Sequence, residues 1–194
     1  MHWPHSRARR VRLLALLAVG AAASVLMTPR PAHAYVLWNV YWQNNGNIQY
    51  CESSMTGNDT TAFNNALGNW NGQGLPIHFS GGSCGVHIFD ENDGANGYTG
   101  YTSYSYGSTG CNGWGRLSSV SSKLNPYYTN NEGVQEVQST AAHELGHALG
   151  LGHTSDQGTL MYPNEYRYIN RGVYTPQADD RSGISYIYNS CGGK

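Results

Sequence analysis

The sequence has 194 residues, room for one domain of ordinary size, and only 12% of them are charged. Five of the eleven cations (Arg7, Arg9, Arg10, Arg12 and Arg30) precede residue 35, whereas all twelve acids follow it, so the chain beyond residue 34 carries a net charge of −6. A charge-poor, mildly acidic domain lacks the basic face that phosphate-backbone binding needs, and no long apolar span follows residue 34; neither nucleic acid nor a membrane is an expected partner.

Residues 1–12 are basic and acid-free, and residues 13–27 are Leu, Ala, Val and Met broken only by Gly20 and Ser24. Ala32-His33-Ala34 then supplies a small-residue cleavage site. This order predicts a signal peptide over residues 1–34 and a secreted, extracellular domain over residues 35–194. The apolar run of about fifteen residues is short for a membrane span of about twenty. Four cysteines, Cys51, Cys84, Cys111 and Cys191, contain no C-x-x-C pair, so in an exported protein they read as two disulfides. Three pairings are open; the expectation leans to Cys84–Cys111, which leaves Cys51–Cys191.

Aromatic and β-branched residues over 35–42 and 47–50 predict opening strands. A helix follows from a cap at Asn58 or Thr60 to about Trp70, with Phe63, Ala66, Leu67 and Trp70 on its apolar face. Short apolar runs over 75–79 and 86–89, bounded by glycines, are further strands. The acidic turn Asp90, Glu91, Asp93 and Gly94 is a candidate Ca2+ site, although it lacks the ordered spacing of an EF-hand loop. Strands around 98–106 and 114–120 lie within a stretch rich in Gly, Ser, Tyr and Asn. Residues 134–149 form the strongest helix, and a last one spans 176–188, with Asp179 and Asp180 at its positive start. Such a succession indicates an α+β domain.

The chemistry lies in His143-Glu144-Leu145-Gly146-His147-Ala148-Leu149-Gly150-Leu151-Gly152-His153. Residues four apart on a helix share a face, so His143 and His147 can aim at one ion, with Glu144 beside it. Gly150 can end the helix in a left-handed turn and bring His153 back as third ligand. Three protein ligands with one open position is the pattern of a catalytic zinc site.

This run, followed eight residues on by the methionine of Leu160-Met161-Tyr162-Pro163, is the metzincin signature, and the region 134–188 most resembles the matrixin branch. The segment Ala178-Asp179-Asp180-Arg181-Ser182-Gly183-Ile184 is similar to that branch's C-terminal helix. The resemblance implies a metzincin-like fold, a twisted, mostly parallel sheet of about five strands with three helices. It implies that Met161 packs beneath the three-histidine plane and that Asp179 or Asp180 is buried to brace it. The new amino group at Tyr35 is expected to pair with one of these two aspartates. Three departures are visible: no cysteine-bearing propeptide motif follows residue 34, the His/Asp pattern of the family's structural zinc is missing, and the segment after Pro163 is one residue longer.

The expected function is a secreted, monomeric zinc endopeptidase acting on protein or peptide substrates, with Glu144 as general base on a zinc-activated water. The alternative is a secreted binding or adhesion module that retains a non-catalytic zinc site. An enzyme of another substrate class, such as an amidase, ranks below the protease.

Overall fold

The computed structural model describes residues 35–192 except Asn45 and Thr56, so the expected leader lies outside the described residues. Two short strands open the chain, β1 (Val36–Leu37) and β2 (Val40–Tyr41), followed by β3 (Asn47–Ser53) and helix α1 (Gly57–Asn71). Next come β4 (His78–Gly81), β5 (Val86–Asp90), the long β6 (Gly100–Thr109), a 3-10 turn and β7 (Gly115–Leu124). Helix α2 (Pro126–Thr129) leads into α3 (Val134–Ala148), then β8 (Leu151–Gly152), α4 (Tyr166–Ile169) and α5 (Ala178–Cys191).

Strands β4, β3, β5 and β7 pair in that order, all parallel, and β2 adds in parallel to the start of β7. Strand β6 runs antiparallel along β7 and has no other partner among the described residues. This is the expected mostly parallel sheet, with α1, α3 and α5 as its three long helices.

Helix α1 buries Phe63, Ala66, Leu67 and Trp70, the face expected from their spacing, against α3. The α3 face is built from small residues, Ala141, Ala142 and Ala148, around Leu145, which lets the two helices approach closely. Trp70 donates its indole N–H to Ala142 O (3.0 Å) and Trp42 donates to Ala148 O (2.9 Å), so large rings are buried without orphaned donors.

The disulfides are Cys51–Cys84 and Cys111–Cys191, which corrects the expected pairing. The reason is strand order. Parallel β3 and β5 are neighbours, with Tyr50 opposite Val86, so the loop before β5 brings Cys84 over Cys51. Cys111 lies in the 3-10 turn beside the end of α5, where Cys191 waits. At the acidic turn, Lys123 on β7 pairs with both Glu91 (2.5 Å) and Asp93 (2.7 Å). Asn125 pins the same turn by accepting from Asp93 N–H and donating to Gly94 O.

Candidate metal centre and active site

Helix α3 carries His143 and His147 one turn apart and ends at Leu149, whose N–H still bonds to Leu145 O. Gly150 follows with φ +100°, a conformation open to glycine, and a Cβ there would stand 2.5 Å from Val40 O. The turn reverses the chain into β8 and delivers His153.

The three Nε2 atoms converge: His153 lies 3.2 Å from His143 and 3.0 Å from His147. His143 donates its Nδ1–H to Leu160 O, and His147 donates its Nδ1–H to Leu151 O, both at 2.8 Å. Those bonds fix the tautomer of His143 and His147, leaving their Nε2 lone pairs bare and turned toward His153 Nε2. Nitrogen lone pairs at about 3 Å repel unless a cation lies between them, and ligands at about 2.0–2.1 Å from a tetrahedral zinc stand at nearly this separation. The donor set therefore fits zinc. Burial, reinforced by the Arg167 charge, holds His143 far below the usual imidazole range; burial takes His147 down to about 3 and lowers His153. Neutral, unprotonated imidazoles are the ligating form.

Met161 is buried against helix α3. A Cβ on Gly146 would fall 2.4 Å from the Met161 sulfur, so the absent side chain of Gly146 makes the space that Met161 fills. The turn bearing Met161 is braced by Asp180, which accepts from Leu160 N–H (2.9 Å), Met161 N–H (3.2 Å) and Gln177 N–H (2.8 Å). Of the two expected aspartates it is thus Asp180, almost fully buried in the first turn of α5, that supports the turn, while Asp179 is only half-buried.

Glu144 is buried beside the histidines, and Thr102 on β6 donates to its Oε2 at 2.6 Å. Burial pushes the Glu144 carboxyl up to about 7, against the Thr102 hydrogen bond and the Arg167 charge, which hold it down. Gly100, at the start of β6, lets the strand lie against Glu144, since a Cβ there would meet Glu144 Cγ at 2.9 Å.

These groups open into a cleft of about 250 Å³ between β6 and the segment 163–167. Arg167 lies in its wall, 2% exposed, and donates to Ser139 Oγ (3.0 Å), Tyr162 O (3.2 Å) and Thr140 Oγ1 (3.3 Å). Burial lowers its guanidinium to about 10, partly offset by Glu144 and Glu165. Thr99 reaches across the cleft to donate to Glu165 Oε1 at 2.8 Å. Thr102, Arg167 and Trp38 also line the cleft; none of the three is singled out by the spacing of the histidine motif.

The chain's residues 89–189, more than half its length, match the sequence model of the matrixin peptidases, Peptidase_M10. Human neutrophil collagenase is 46% identical over 61 residues, which are 31% of this chain and 13% of the collagenase. Pig interstitial collagenase is 56% identical over 48 residues, 25% of this chain and 10% of the relative. Matrix metalloproteinase-18 of Xenopus laevis is 50% identical over the same number, again 25% and 10%. The matches span about a tenth of these relatives' length. By this match over more than half of its length, built around the three-histidine turn and the methionine beneath it, the chain belongs to the matrixin family.

Proposed function

We propose that the protein is a secreted zinc-dependent endopeptidase, with His143, His147 and His153 as metal ligands and Glu144 as the proton carrier. The observation that carries this reading is the convergence of three imidazole Nε2 atoms beside a buried carboxylate at the floor of an open cleft. Zinc, when bound, supplies Lewis-acid polarisation of a scissile carbonyl and lowers the pKa of a water.

The chain's own residues do the rest. Thr102 ties down Glu144 Oε2, leaving Oε1 to take a proton from the attacking water and to return it to the departing amine. Strand β6, with one side unpaired among the described residues, can align an extended peptide by main-chain hydrogen bonds, and Gly100 brings it within reach of Glu144. Asp180 and Met161 hold the floor. Two disulfides suit a protein working outside the cell. If cleavage occurs before Tyr35, the new amino group is expected to pair with Asp179 or Asp180; the charge of Asp179 acts on the Tyr35 phenol.

Incubation of the purified protein with denatured casein tests the reading. Cleavage is expected to stop in 1,10-phenanthroline and return on adding zinc. Undiminished cleavage under the chelator would exclude the zinc mechanism. A protein that binds zinc and cleaves nothing would instead favour the adhesion module.

A further inference from the structure

Trp38 lies flat on His147: the rings are parallel to within 2°, with centroids 4.2 Å apart. The residue is held in place from several sides. The Trp38 backbone N–H donates to Gly150 O at 2.9 Å, and Tyr104 on β6 packs against the indole at 5.1 Å. Strand β1, just before it, pairs Val36 with Gly152 and Leu37 with Leu151. Leu151 is also the residue whose carbonyl accepts from His147 Nδ1. Gly152 leaves no slack, because a Cβ there would stand 2.9 Å from Val36 Cγ1 and 3.2 Å from Trp38 Cδ1. The segment linking the second histidine to the third is thus clamped along its length by residues 36–38. His147 is fixed at its edge by β8 and over one face by the indole, so reorienting the ring would break both contacts.

We propose that Trp38 is a positioning residue for the metal centre: it holds His147 in its ligating orientation, so that docking of the β1 strap and binding of zinc stabilise one another. This rests on the metal-centre reading above and not on proteolysis. Stacked aromatic pairs contribute beyond the area they bury, and groups that orient metal ligands alter affinity by about 10–100-fold. Coupling between two binding events is reciprocal, so the effect is readable from either end.

The test is the rate of zinc release to an excess of chromogenic chelator from the wild type, Trp38→Ala, Trp38→Leu and Trp38→Phe, together with the visible absorption of the cobalt-substituted proteins. The Ala and Leu variants are expected to release zinc about tenfold faster and to show shifted cobalt bands. Trp38→Phe, which keeps a ring over His147, should stay within about threefold of wild type. Trp38→Leu retains apolar bulk and carries the test if Trp38→Ala fails to fold. In the wild type, amide exchange over residues 36–38 should slow on zinc loading. Release rates and cobalt spectra of Trp38→Leu equal to wild type would overturn the role of Trp38, and exchange indifferent to zinc would overturn the mutual stabilisation. A wild type that takes up no zinc at all would overturn the metal-centre reading itself.

Discussion

Asp179 and Asp180 are adjacent acids at a helix start, yet the fold gives them different work. Asp180 accepts three backbone N–H groups, two of them from the turn under the metal centre. An asparagine there would turn an amide N–H toward at least one of those donors. Asp180→Asn is therefore expected to lower unfolding free energy by about 3 kcal/mol, and Asp179→Asn by well under half of that, in urea titrations. Equal losses would contradict the assignment. Thr102 makes a parallel case for catalysis. Thr102→Val keeps the volume and removes the donor to Glu144 Oε2, so kcat on a peptide substrate should fall about tenfold with KM little changed. An unchanged kcat would remove Thr102 from the machinery. The histidines, Glu144, Gly150 and Met161 were readable because their offsets are fixed along one helix and one turn. Thr102 and Trp38 were not, because each reaches the site across the sheet or from the chain's beginning, at separations that no local pattern encodes.

Between α2 and α3, Glu132 is half-buried, and its carboxyl is pushed up to about 7 by burial first, then by Glu136, Glu165 and Asp59. Its folded value exceeds the unfolded one of 4.5, so its contribution to stability is fully present below about 4.5 and is lost as pH rises through about 7. Glu132→Gln should therefore raise Tm relative to wild type at pH 8, with the gap closing at pH 4.5; a gap independent of pH would contradict this. Element boundaries followed the sequence where caps and periodicity were strong. Helix α3 begins at the expected Val134, and its end at Gly150 rests on one residue's left-handed conformation. Helix α5 starts two residues later than Pro176, because Gln177 and Asp180 form a capping box that fixes the first turn.

At the scale of the whole molecule, sheet order decides what local patterns leave open. The cysteine pairing followed from β3 lying beside β5, a fact about parallel neighbours that spacing along the chain does not contain. The same order sends β6 to an edge, where it faces the cleft with Gly100 and Thr102 against Glu144. Lys123 from β7 reaches across to the acidic turn of Glu91 and Asp93. Scaffold and site are thus one construction: α1 and α3 pack through small residues, α3 presents two histidines, and α5 braces the turn that closes beneath them.

The most direct test of the account is zinc content and casein turnover in Glu144→Gln, measured side by side with wild type. Nearly full zinc occupancy with turnover reduced about 10²–10⁴-fold is the predicted result, because the histidines hold the metal and Glu144 moves the proton. Near-normal turnover in that variant would contradict the central claim, and zinc loss alongside lost activity would shift Glu144 from proton carrier to part of the metal's own support.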